Sequence, residues 1–179
     1  MTHEEIWKPV VGYEGLYEVS DLGSVRSLPR SWIDSWGRKM SRTGIVLKQT
    51  INEWGYPIVK LYGGKGVHRS WNVAHLVIGA FVGPRPPDME VCHEDGKPGN
   101  SALINLRYDT PIGNQADRVK HGTDTRGERH ARAKLTNEDV RQIRMMRNIV
   151  TQHVLAGIFG IADSGICNIQ RGRTWRHIL

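Results

Sequence analysis

Cysteine is scarce in this 179-residue chain: Cys92 and Cys167 stand far apart, and neither has a CxxC partner. That excludes a cysteine-rich zinc site and argues against a disulfide. Any metal must then be held by oxygen and imidazole donors. Long apolar runs are missing too. Nothing approaches the roughly 20 residues that cross a bilayer, so no membrane role is expected. The opening MTHEEIWKP is acidic and has no apolar centre, which speaks against a secretory signal and for a cytoplasmic location. Acids are too few to balance the cations. Lys and Arg number 25 against 18 Asp and Glu, for a net charge of +7.

The placement of that charge is informative. Residues 1–117 hold 13 cations and 13 acids, whereas residues 118–179 hold 12 against 5. A smaller basic region runs from Arg30 to Lys65, with seven cations against Asp34 and Glu53. Two basic regions around a neutral middle suit a polyanion gripped at both ends, although ordinary solvated surface has the same composition. The length allows one ordinary domain or two to three small modules.

The pattern predicts an α+β modular chain. Residues 1–66 read as a small antiparallel β module. In EGLYEVSDLGSVRSL, Leu16, Val19 and Val25 are separated by turn residues, and IVLKQT and WGYPIVKLYGG continue the pattern. Val59 and Leu61 should face inward before a Gly63-Gly64 turn. Trp32, Trp36 and Trp54 are expected in its core. Residues 67–121 read as helix, strand, long loop, strand, helix. WNVAHLVIGAF spaces Val73, Leu76, Val77 and Ala80 as one helical stripe, and His75 is expected to pack beside it. MEVCH and ALINLRYDT are strands, and Pro111 opens a helix that ends near a capping His121. Residues 122–134 (HGTDTRGERHARAK and its edges) read as an exposed basic linker.

Residues 135–179 return to helical spacing. Thr136 with Asp139 forms a capping-box pattern. TQHVLAGIFG follows, with Val154, Leu155 and Ile158 expected to be buried and Gly160 as the stop. Asp163 or Ser164 opens a third helix. Helix, glycine turn, helix is the helix-turn-helix order. Its exposed face would carry Ser164, Asn168 and Gln170 toward base edges and Arg171, Arg173 and Arg176 toward phosphates. Arg129, Arg132 and Lys134 of the linker would add a basic strap. LAGIFGIADSGICNIQRGRTWRHI resembles the C-terminal helix-turn-helix of many phage endonucleases.

The stretch HEDGKPGNSALINLRYDTPIGN carries the chemistry. His93 ends one strand, and Asn114 lies in the first turns of the closing helix. A strand-loop-strand-helix unit can bring the two across a cleft. An imidazole there can take a proton from water, and an amide oxygen can hold a hard divalent ion. Phosphodiester hydrolysis needs both functions. Asn105 ends the loop, where its amide would fix the loop backbone.

His93, Asn105 and Asn114 look like the three signature positions of the HNH endonucleases, with Asn for the final His. AHLVIGAFVGPRPPDMEV resembles the helix and connector before that motif, and IWKPVVGYEGLYEVSDLGSVRSL resembles the N-terminal module of phage homing endonucleases. The resemblance spans nearly the whole chain. It implies a central ββα-metal unit, with His93 as general base, Asn114 as metal ligand, and one Mg2+ or Mn2+. It also implies a phage-encoded protein in a bacterial host, bound to double-stranded DNA through both flanking modules. One such centre handles one phosphodiester. A monomer on DNA should therefore nick, and a double-strand break would need a dimer or a second binding event. One position departs from the family. Cys92 stands where close relatives often carry a metal-binding Asp, and a thiol is a poor magnesium ligand. Either Glu94 or Asp95 supplies the second ligand, or water does, or the site is impaired. The last case leaves a DNA-binding protein with a dead nuclease fold.

Overall fold

The computed structural model describes residues 4–63 and 67–178. The second glycine of the expected Gly63-Gly64 turn, and the expected boundary at residue 66, lie outside those residues. The chain forms two compact units, Met1–Gly122 and Thr123–Leu179.

The first unit is built from short antiparallel sheets around one helix. Strands β1 (Trp7–Pro9), β2 (Tyr17–Ser20) and β3 (Val25–Ser27) form a meander in which Val19 pairs with Val25. The β2–β3 turn needs a glycine. Gly23 has φ +89°, and a Cβ there would stand 3.1 Å from the Cβ of Ser101. In the next sheet β7 (Pro57–Tyr62) lies between β6 (Thr50–Ile51) and β8 (His68–Asn72). Val59 and Leu61 point inward and Lys60 and Tyr62 outward, as the alternation predicts. Trp71 belongs to β8. Helix α1 (Val73–Phe81) starts after it, with the Asn72 side chain accepting from the Ala74 N–H.

Val73, Leu76, Val77 and Ile78 of α1 pack with Val10, Val19, Val25, Val59, Leu61 and Leu106 in one core. Residues 1–66 and 67–121, read from the sequence as separate modules, thus share their hydrophobic centre. Short strands explain this. A three-stranded meander with one apolar face has too little surface to bury alone and takes α1 as its second layer.

The tryptophans differ from expectation. Strands β4 (Arg30–Ile33) and β5 (Lys39–Arg42) form a separate hairpin, and Trp32, Trp36 and Trp54 are 44%, 78% and 68% exposed. Among the described residues, none of these three rings belongs to the hydrophobic core around α1. Arg38 instead lies over the Trp36 ring at 4.9 Å.

The second unit packs α3 (Asn137–Met145), α4 (Gln152–Phe159) and α5 (Asp163–Gln170) around Val140, Ile143, Leu155, Ile166 and Ile169. Thr136 and Asp139 form the reciprocal capping box that the sequence announced. Gly160 ends α4 at φ +63°, where any side chain would be strained. Val154 and Ile158, expected to be buried, are 50% and 65% exposed. In an eight-residue helix only one stripe can face two neighbours, and Leu155 and Ala156 fill it. Residues 123–134 are not a bare tether. Asp124 is 2% exposed and bonds Arg126 and Arg129 at 2.7 and 2.6 Å, and Glu128 receives both the N–H and the side-chain amide of Asn137.

Candidate active site

Strand β9 (Glu90–His93) pairs antiparallel with β10 (Leu106–Asp109), setting Cys92 opposite Arg107 and His93 opposite Leu106. Alternation then sorts the side chains. Val91, Leu106 and Tyr108 belong to the α1 core. His93 shares that face. Its ring centroid lies 5.7 Å from that of Tyr56. Glu90, Cys92 and Arg107 take the opposite face, toward α2 (Pro111–Lys120), where Arg107 bonds Asp117.

The His93 ring is half-buried, and its Nε2 is buried without a hydrogen-bond partner. Burial pushes its pKa below the ordinary 6.5, against the opposing pull of Asp95. The imidazole is therefore neutral at pH 7 and has an uncommitted nitrogen. That is the state a general base requires.

Asn105 is 6% exposed and organises the loop between the strands. Its Oδ1 accepts from the Asp95 N–H at 3.0 Å, and its Nδ2 donates to Asp95 Oδ1 at 3.0 Å and to the Asn100 carbonyl at 2.9 Å. The Leu103 N–H donates to the Asp21 carbonyl at 2.7 Å, which ties the loop to the β2–β3 turn. Asp95 also accepts from the Asn100 amide and the Lys97 N–H. With Asn100 the largest contributor, these bonds hold its carboxyl down to about 2. His121, read as a helix cap, does cap α2, and its ring fills the space beside Gly96, where a Cβ would lie 2.6 Å from Nδ1.

Helix α2 begins where the sequence predicts. Thr110 caps it, accepting from the Gly113 N–H, and Pro111 opens it. Asn114 in its first turns reaches back to β9, with Nδ2 2.5 Å from Glu90 Oε2. Arg107 fastens the helix to the hairpin through ion pairs with Glu94 at 2.7 Å, Asp109 at 3.0 Å and Asp117. Burial opposes the Arg107 charge, but the bonds to Asp109, Asp117 and Glu94 outweigh it and raise its pKa.

The structure thus brings Asn114 to Glu90, a residue that no sequence motif singles out. Its one signal was spacing, since Glu90 and Cys92 lie two apart on a strand. His93 and Asn114 stand on opposite faces of β9, and among the described residues no hydrogen bond joins them. Cys92 is 2% exposed, and burial raises its thiol pKa, so it stays protonated and does not suit a hard cation. Glu94 is committed to Arg107. Among the described residues, no three His, Cys, Asp or Glu side chains gather as a metal cluster. The donor chemistry is instead one carboxylate beside one carboxamide. Magnesium, which keeps several waters and takes the rest from phosphate, fits such a pair. His75 is exposed and lines a cavity of about 440 Å3 with Trp71, Ile78, Arg85 and Tyr108.

In the second unit, Ser164, Arg171, Arg173 and Arg176 are exposed and Asn168 is half-buried. Gln170 is a correction. It is 8% exposed, donates to the Ile143 carbonyl and accepts from Gln152, so it joins α5 to α3 and α4 and does not face outward. Arg129 is held by Asp124. Arg132, Lys134, Arg173 and Arg176 line a groove of about 880 Å3 beside Trp175.

Residues 5–62 match the NUMOD4 motif. The DNA endonuclease I-HmuI of Bacillus phage SP01 is 32% identical over 133 residues, covering 74% of this chain and 68% of that protein. Protein 7.7 of Escherichia phage T7 is 32% identical over 120 residues, covering 66% of this chain and 90% of that protein. The solved structure of I-HmuI, described as an HNH homing endonuclease that binds and cleaves DNA, matches 93% of this chain and 90% of its own. Its TM-score is 0.53 at 24% identity, a shared fold.

Proposed function

Because the chain belongs to the family of the phage homing endonuclease I-HmuI, we propose that it is an HNH-type DNA endonuclease that hydrolyses one phosphodiester per active site. The observation that carries this reading is His93: a neutral imidazole with an unpartnered ring nitrogen, on the residue whose sequence context resembles the HNH signature. Among the described residues strand β9 pairs only with β10, so its other edge has no strand partner. A DNA strand lying along that edge has His93 on one side and Asn114 on the other.

In this mechanism His93 takes a proton from water as the water oxygen attacks phosphorus. The bond from phosphorus to the 3′ oxygen breaks in line, and the departing oxygen is protonated from solvent. The products carry 5′-phosphate and 3′-hydroxyl ends. A magnesium or manganese ion held through Asn114 would supply positive charge at the phosphate and the leaving oxygen. Asn105 keeps the 94–104 loop shaped and so holds His93 in place. Ser164, Asn168 and Arg171 of a helix-turn-helix, with Arg132, Lys134, Arg173 and Arg176, hold double-stranded DNA.

Plasmid cleavage in magnesium is the test. Supercoiled DNA should become open circles before any linear product, and His93→Ala should slow this by at least about 10²–10⁴-fold while leaving DNA binding intact. Linear product from the first time point would contradict one cut per site. The buried Cys92 favours a second reading, a DNA-binding protein that does not cut. That protein would shift DNA in the same assay and leave the plasmid supercoiled.

A further inference from the structure

Five carboxylates stand on β9, its loop, β10 and α2: Glu90, Glu94, Asp95, Asp109 and Asp117. Four are committed. Glu94, Asp109 and Asp117 converge on the Arg107 guanidinium, and Asp95 is filled by Lys97, Asn100 and Asn105. Glu90 differs. It is exposed, and its partner is the neutral amide of Asn114 at 2.5 Å. Among the described residues no Lys or Arg pairs with it.

Position matters as much as partner. Glu90 and Cys92 point to the same face of β9, about 6.6 Å apart along the strand by the usual rise. Cys92 stands where the resemblance to the family implies an acid, but its thiol is enclosed, while Glu90 extends from the same face on a longer stem toward the same helix. We propose that Glu90 replaces the missing acid and holds the divalent cation together with Asn114. This rests on the endonuclease reading of the site. Bringing a cation to this pair requires Asn114 to turn its amide over, so that Oδ1 replaces Nδ2 opposite the carboxylate. Two oxygens then face the ion. The ligand set has moved two residues along the strand without changing face, as the period of a strand allows.

The test is manganese binding to the full chain, followed by the decline of the free-ion paramagnetic resonance signal. Wild type should bind one ion. Glu90→Gln keeps the shape and the hydrogen bond to Asn114 but removes the charge, and it should weaken binding at least about tenfold. Cys92→Ala should bind as wild type does. Thermal melting without metal should show both variants folded. Unchanged affinity in Glu90→Gln, with cleavage still dependent on His93, would overturn the ligand assignment and leave the endonuclease standing. A wild type that neither binds manganese nor cuts DNA would overturn both. Weakened binding in Cys92→Ala alone would return the role to the thiol.

Discussion

Asn105 and Asp95 bond each other twice: Asn105 Oδ1 accepts from the Asp95 N–H, and Asn105 Nδ2 donates to the Asp95 carboxylate. One buried side chain thereby fixes the start of the connection from β9 to β10 whose far end it occupies. Asn105→Ala leaves the Asp95 N–H and the Asn100 carbonyl without their partner and should cost about 1–3 kcal/mol, read as a lower melting temperature. The pH dependence has a definite sign. The Asp95 pKa is depressed in the fold, from 3.8 to about 2. Its stabilising contribution is therefore present above pH 3.8 and is lost as the pH falls toward about 2. Acid titration of Asn100→Ala, which removes the largest of the bonds that hold the Asp95 carboxyl down, should show a smaller loss.

His93→Ala should lower cleavage by about 10²–10⁴-fold, the range of a positioned base. Burial lowers the His93 pKa, so the unprotonated ring persists to more acidic pH than for a free histidine. The acid limb of a cleavage-rate profile should therefore bend below pH 6.5, the ordinary value. An inflection above that value would place the essential base elsewhere. The same shift makes stability fall as pH drops below 6.5, because the unfolded chain then binds the proton more readily.

Arg107→Ala should separate α2 from the hairpin. The guanidinium is the common partner of Glu94, Asp109 and Asp117, and removing it leaves three acids close together. A melting-temperature drop equivalent to about 1–3 kcal/mol is expected, larger at low salt, where repulsion among the acids is unscreened. Cleavage should fall further than stability explains, because Asn114 rides on the released helix.

Helix starts were the most readable feature of this sequence. Pro111 and the Thr136–Asp139 box each act within one turn, so local chemistry settles them, and the Gly160 stop is local in the same way. Strand β8 was harder, because His68, Arg69 and Ser70 are exposed and show no apolar alternation. Pairing with β7 decides it, and pairing is non-local. The exposed tryptophans escaped for a related reason: composition marks an aromatic as core, but only the layer above it decides burial. At the site, His93, Asn105 and Asn114 were visible as residue types at a spacing. Glu90 was not, because its meaning comes from α2 folding back over β9.

Gln170 and its neighbours separate folding from DNA binding. Gln170→Ala removes a buried amide that bonds the Ile143 carbonyl and the Gln152 side chain, so it should lower the melting temperature by the equivalent of about 1–3 kcal/mol. Its effect on the salt dependence of DNA binding should be nil, since the side chain carries no charge and does not face outward. Replacing Arg132, Lys134, Arg173 and Arg176 together with Ala should do the reverse. Each phosphate left without its cation lowers the slope of log affinity against log salt by about 0.9, so four such phosphates remove roughly 3.6. Wild type, neutralising six or so phosphates, should bind about a thousandfold more weakly at 200 mM salt than at 50 mM, and the fourfold variant should change far less. Titration of a labelled duplex at several salt concentrations reads both. An unaltered slope in the fourfold variant would mean that these four cations do not touch the backbone.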